Sequence, residues 1–218
     1  SLEPLRGSVV KVLGCHANRI ASIEPLRGMQ LDVVMCGANR LQTISFFSLQ
    51  TPPQFDFSCD TIALQEYELL RDKWRGDFRY AAQVRNLEVL IALRNKDIRR
   101  LRELASVWQG RRYLYIPIYK TWDDARAFCE EIGGHLLSIT SQEENDFVAS
   151  LFPAGCWFWL GLTTAEGGQQ WASGEPFAFS NFSDITQEHR LGPKIFIGKW
   201  SRDGVPNAHN CFMIEWPE

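Results

Sequence analysis

The sequence predicts an α+β protein built in three parts: a short solenoid over residues 1–62, a helical connector over 63–111 and an α+β domain over 112–218. Three observations support this. An internal repeat with a fixed offset of 21 residues marks the first part, because a period in the twenties means stacked units. Apolar residues at helical spacing mark the second. A helix, glycine turn, strand and second helix over 121–147 mark the third.

In the first part, Ser1-Leu2-Glu3-Pro4-Leu5-Arg6-Gly7 returns as Ser22-Ile23-Glu24-Pro25-Leu26-Arg27-Gly28, and Cys15-His16-Ala17-Asn18-Arg19-Ile20 returns as Cys36-Gly37-Ala38-Asn39-Arg40-Leu41. The pattern L-x-x-L-x-L-x-x-N-x-L fits Val10, Leu13, Cys15, Asn18, Ile20 and again Leu31, Val34, Cys36, Asn39, Leu41. A worn third copy fits at Pro52, Phe55, Phe57, Asp60, Ile62. The pattern resembles the leucine-rich repeat. That resemblance implies a strand per rung and an asparagine ladder bonded to the turning backbone. It also implies an outward face of Val12, Gly14 and His16, then Val33, Met35 and Gly37. In the third copy Thr43-Ile44-Ser45-Phe46-Phe47-Ser48 replaces the SxEPLRG module, as in a capping repeat. The first rung lacks a neighbour in front, so the natural chain is expected to extend N-terminally. This part reads as scaffold or cap.

Three helices are expected in the connector. Over 63–75, Leu64, Tyr67, Leu70 and Trp74 share a face, and Gly76-Asp77 ends the segment. Over 80–94 the apolar set is Val84, Leu87, Leu90, Ile91 and Leu93. Over 95–106, Ile98, Leu101 and Leu104 point inward while Arg99, Arg100 and Arg102 point outward. No Gly/Ser/Pro-rich spacer separates Ser106 from Tyr113, so the connector is expected to share an interface with the domain that follows.

That domain opens with Thr121 and Asp124 as a capping pair, then Trp122, Ala125, Cys129 and Ile132 on one helical face. Gly133-Gly134 stops the helix, since a residue without Cβ takes the left-handed conformation of a C-cap. Residues 135–140 suit a short strand. Ser141 with Glu144 caps a second helix that buries Phe147, Val148 and Leu151.

These residues resemble the C-type lectin-like family, which has W-x-x-A-x-x-x-C, G-G-x-L and S-x-x-E-x-x-F in this order. The resemblance continues in Phe158-Trp159-Leu160-Gly161-Leu162-Thr163, in Trp171-Ala172-Ser173-Gly174-Glu175-Pro176-Phe177 and in Asn181-Phe182. It ends in Gly198-Lys199-Trp200 and Phe212-Met213-Ile214-Glu215-Trp216, the expected closing strands. It covers about residues 112–218 and implies a recognition domain.

Charge and composition narrow the function classes. Residues 1–112 hold 17 basic against 12 acidic residues, and residues 113–218 hold 6 against 14. An acidic C-terminal half argues against a nucleic-acid surface there. No apolar run approaches the roughly 18 residues of a membrane span. Of the six cysteines, Cys15 and Cys36 are read as small buried hydrophobes on adjacent rungs. The resemblance implies a disulfide from Cys129, but Ile214 stands at the partner's position. A bridge from Cys129 or Cys156 to Cys211 is the alternative to a domain that lives reduced. The reduced reading leans towards a cytoplasmic location.

Relatives that bind sugar through calcium use E-P-N or Q-P-D in a long loop and W-N-D on the next strand, because calcium takes six to eight hard oxygens. Residues 181–193 contain neither tripeptide, and Trp200-Ser201-Arg202-Asp203 puts an arginine beside the cation position. Asp184, Glu188 and Asp203 are the residual acids there. Glu175-Pro176-Phe177 lies in the earlier turn, where the resemblance implies a structural residue. No nucleophile elbow, zinc motif or phosphate loop is present. The chain therefore reads as a non-catalytic, calcium-independent module without cofactor, a monomeric segment of a larger bacterial multidomain protein. Its ligand, protein or glycan, is expected on Asn181, Asp184, Glu188, Arg202, Asp203 and Asn207. The alternative is a regulatory or recruiting tail of an enzyme such as a bacterial serine/threonine kinase.

Overall fold

Each N-terminal repeat begins with a one-turn 3₁₀ helix, Glu3–Leu5 and Glu24–Leu26, whose proline fixes φ where no donor is needed. Gly7 and Gly28 then take positive φ, 71° and 78°, and turn the chain towards the strand. The computed structural model describes residues 1–45, 54–56, 59, 61–151, 158–165, 168–182, 194–196, 199–201 and 209–217. It divides the chain into two compact units, residues 1–101 with 117–119, and residues 102–116 with 120–218.

In the first unit β1 (Val12–Gly14), β2 (Val33–Met35) and β3 (Gln54–Asp56) form a parallel sheet in that order. Val12 pairs with Val33 and Val33 with Gln54, so one 21-residue period equals one rung. Side chains alternate as a strand requires. Val34 and Cys36 are buried and Leu13 and Cys15 half-buried, whereas Val12, Gly14 and His16 are exposed. Asn39 closes the turn after β2. Its Nδ2 donates to the carbonyls of Cys15 at 2.8 Å and Cys36 at 2.9 Å, and its Oδ1 accepts from Ile20 N at 3.0 Å. Asn18 reaches only carbonyls of its own rung, Cys15 and His16. Of the worn third copy, Pro52, Phe57 and Asp60 lie outside the described residues.

Helices α1 (Leu64–Trp74) and α2 (Ala81–Arg94) bury Tyr67, Leu70, Trp74 and Leu87 in one core with Ile44, Cys59 and Ile62 of the last rung. The Tyr67 hydroxyl donates to Cys59 O at 3.1 Å, and Glu66 accepts from Thr43 Oγ1 and Ile44 N. The expected third helix over 95–106 is shorter, α3 (Ile98–Leu104), and Ile98 is exposed rather than inward. Ser106–Trp108 is instead a strand, β4, paired with β5 (Arg111–Lys120). The reason is the turn between them. Gln109 and Gly110 both take positive φ, 47° and 82°, as a tight two-residue hairpin requires.

In the second unit α4 (Trp122–Glu131) and α5 (Gln142–Ser150) are capped as their sequences predict. Thr121 accepts from Asp124 N at 3.2 Å and Ser141 from Glu144 N at 3.1 Å. The main sheet contains β6 (His135–Leu136), β7 (Phe158–Trp159), β10 (Lys194–Phe196), β11 (Lys199–Ser201) and β12 (Asn210–Trp216). Its order is β11-β10-β7-β12-β5-β4, with β6 also paired to β12. The hairpin β8 (Leu162–Ala165) and β9 (Gly168–Trp171) stands apart. β12 is the spine: Phe212, Met213, Ile214, Glu215 and Trp216 are all buried. Among the described residues no helix is long and apolar enough to cross a membrane.

Candidate recognition site

The elements that carry the chain to Asn181 are fixed by contacts that tolerate little change. Trp122 Nε1 donates to Leu160 O at 2.7 Å, and Trp159 Nε1 to Lys120 O at 2.8 Å, which ties α4 and β5 to the segment around β7. Gly161 follows. Its amide donates to Leu137 O at 2.8 Å, and a Cβ here would lie 2.6 Å from Leu136 O. Only glycine allows that approach. Ala172 N donates back to Gly161 O, and the Trp171 ring meets Phe177 at 5.7 Å. The chain then passes Asn181 and Phe182, both half-buried.

Under this turn lies a partly buried ionic cluster. Arg111, at the start of β5, donates to Glu175 Oε1 at 2.6 Å and to Glu215 Oε1 at 2.8 Å. The other Glu215 oxygen accepts from Ser138 N at 3.1 Å, and Ser138 Oγ donates to Ser173 Oγ, which donates to Glu175 Oε2. Nearby, Glu144 accepts from the Tyr113 hydroxyl at 2.6 Å and from both the amide and the hydroxyl of Thr140. The carboxylates thus join β5, β12, α5 and the turn after β9.

Their ionisation follows from these partners. Burial, with the Glu144 charge adding to it, pushes Glu215 up to about 7 against the pull of Ser138 N and Arg111. Burial also raises Glu175, but the Arg111 guanidinium and Ser173 outweigh it and hold the group below the usual carboxylate range. Arg111 is held protonated, first by Glu175 and then by Glu215. Burial likewise pushes the Tyr113 hydroxyl and the Cys129 thiol upward.

His135, Glu175 and Glu215 place one ligand atom each within 4.8 Å of one another, a grouping that the spacing of the histidines does not suggest. The donors do not suit a cation as they stand, because the Arg111 guanidinium already sits on both carboxylates. The His135 Nδ1 lies 3.0 Å from Leu136 O and 3.7 Å from Glu215. A metal would have to displace the arginine. Glu175 is taken up by Arg111 and Ser173 in the turn after β9.

Of the residues expected to meet a ligand, Asn181 follows the Trp171–Phe177 contact, while Asp184, Glu188, Arg202, Asp203 and Asn207 lie outside the described residues. The expected alternative bridge from Cys129 to Cys211 is not formed. Both are buried and neither is in a disulfide, and Cys211 Sγ accepts from the Tyr115 hydroxyl at 3.2 Å. Cys156 lies outside the described residues. Sequence reasoning misses Arg111 as a pivotal residue because its partners lie 64 and 104 positions away. Glu215, a charge inside an otherwise apolar strand, is the available signal.

Comparison with known proteins bears on the second unit. Residues 118–215 match the sequence model of the Lectin C-type domain. One subunit of the snaclec coagulation factor IX-binding protein of Protobothrops flavoviridis is 35% identical over 108 residues, covering 44% of this chain and 84% of that protein. The chain belongs to the C-type lectin domain family. Another relative, the alpha-1 subunit of snaclec agglucetin from Deinagkistrodon acutus, is 43% identical over 81 residues, 33% of this chain and 53% of the relative. Among solved structures, the cow C-type carbohydrate-recognition domain of CD23, determined with a GlcNAc2Man3 oligosaccharide, aligns with 24% identity and a TM-score of 0.48, covering 52% of this chain and 93% of that one. The C-type lectin domain is a non-catalytic recognition fold.

Proposed function

We propose that the C-type lectin domain of this chain binds a protein or glycan ligand without calcium, through a surface that includes Asn181, Asp184, Glu188, Arg202, Asp203 and Asn207. The observation that carries the reading is the Arg111 clamp. Where three candidate ligand residues, one histidine and two glutamates, converge among the described residues, the Arg111 guanidinium occupies both carboxylates at 2.6 and 2.8 Å. The sequence supports the same reading at the loop. It lacks the E-P-N or Q-P-D tripeptide and places Arg202 beside the acid that would serve a cation. A protein ligand fits the relative from Protobothrops flavoviridis, which by its name binds a coagulation factor. Residues 1–62 are assigned to a leucine-rich-repeat stack that acts as scaffold, supported by the 21-residue rung and the Asn39 bonds. Residues 63–111 join that stack to the lectin domain at 112–218.

Arrays of glycans and proteins probed with the full chain in excess chelator test the proposal. Binding that persists in chelator, and falls on Asn181→Ala, Arg202→Ala or Asn207→Ala, is the expected result. Binding that appears only with added calcium, or that none of these substitutions affects, overturns it.

A further inference from the structure

The rungs of the first unit set two thiols against each other. The parallel register Val12↔Val33, Leu13↔Val34, Gly14↔Met35 continues through Cys15 N, which donates to Met35 O at 2.8 Å, and brings Cys15 opposite Cys36. Their sulfurs are 3.0 Å apart. Neighbouring strands lie about 4.8 Å apart, inside the Cα separation a disulfide accepts, and bond formation needs the sulfurs to close to roughly 2 Å. The two thiols differ in access: Cys15 is half-buried at the outer rung, Cys36 fully buried behind it. Cys59, on the third rung, approaches the carbonyl of Cys36 at 3.6 Å.

We propose that Cys15 and Cys36 are a redox-active thiol pair, a modification site at which Cys15 attacks a low-molecular-weight disulfide and Cys36 resolves the adduct. In the first step the Cys15 thiolate forms a bond to one sulfur of the small disulfide and the other sulfur leaves as thiolate. In the second, Cys36 gives its proton to that thiolate and attacks Cys15 Sγ. The Cys15–Cys36 bond forms and the second small thiolate leaves, taking up the proton that Cys15 had released. The protein loses two hydrogens and the small disulfide becomes two thiols. The side chains are suited to these roles. The Cys36 contact holds the Cys15 thiol below its usual range, offsetting burial, and an accessible low-pKa thiol beside a resolving cysteine is the pattern of redox-reactive sites. The bond would staple the first rung to the second, across 21 positions of chain. The inference concerns the first unit alone and does not depend on the lectin domain's ligand.

The test is equilibration of the native full chain in glutathione buffers running from reduced to oxidised, followed by alkylation and tryptic mapping. The expected result is one crosslinked species joining peptides 12–19 and 28–40, lighter by two hydrogens than the sum of the free peptides. Cys36→Ser should stop the reaction at a glutathione adduct on Cys15, Cys15→Ser should leave Cys36 unmodified, and Cys59→Ser should change nothing. The proposal fails if both peptides stay fully alkylated in excess glutathione disulfide. It also fails if the crosslink forms only in denaturant, or if Cys36→Ser leaves Cys15 without glutathione.

Discussion

Arg111 shows how a single side chain can decide the electrostatics of a core. Glu215 is fully buried, and a lone carboxylate there would be strongly disfavoured. Shared between Glu175 and Glu215, the guanidinium offsets part of their charge while the Ser138 amide takes up the remaining Glu215 oxygen. Removing one partner of such a pair is costly, typically about 3–5 kcal/mol, and the partial exposure of Arg111 puts Arg111→Ala near the lower end. Chemical denaturation at pH 8 should show that loss, and it should shrink at pH 5, where Glu215 accepts a proton. The sign follows from the raised value. The folded chain keeps a proton that the unfolded chain releases, so the Glu215 contribution is full below the ordinary carboxylate value and is lost as pH rises through about 7. Glu215→Gln should therefore flatten the decline in stability between about pH 5 and 8. An unchanged profile would mean that Glu215 titrates normally. Gly161 makes a steric prediction at the same scale. With Leu136 O only 2.6 Å from a new Cβ, Gly161→Ala should cost about 1–3 kcal/mol in a urea melt, since backbone must move to admit it.

The secondary-structure elements show which signals are local and which are not. Both capping pairs, Thr121 with Asp124 and Ser141 with Glu144, are readable because cap and partner lie within one turn. The 21-residue period predicts the rung because each strand meets its own copy. The hairpin of β4 and β5 is hidden by a helical spacing of Ile98, Leu101 and Leu104 that runs on into Ser106. The decisive residues, Gln109 and Gly110, act through backbone conformation rather than polarity. The pairing of Arg111 with Glu175 and Glu215 is not legible, because no local pattern links residues so distant in sequence, and only the charge of Glu215 inside an apolar strand hints at it. The repeats permit a paired prediction. Asn39 is buried and bonds to two rungs, so Asn39→Ala leaves backbone groups unsatisfied and should cost about 1–3 kcal/mol. The exposed Asn18 has partners only on its own rung, and Asn18→Ala should cost less than about 1 kcal/mol. Equal losses in urea denaturation would contradict this difference between the two asparagines.

At the scale of the whole molecule, each unit uses its own means of support. The first stacks rungs and closes them with α1 and α2 around one apolar core. The second threads β12 between β5 and β7 and fastens it through buried carboxylates rather than through Cys129, whose thiol stays free and buried. Recognition by the second unit, as proposed, needs no calcium. Calorimetric titration of the full chain with millimolar calcium, paired with thermal melts in calcium and in chelator, tests it most directly. The predicted result is no saturable heat and coincident melts. A saturable heat, with stabilisation by calcium beyond about 1 kcal/mol, would contradict the claim and place a cation site at Asp184, Glu188 and Asp203.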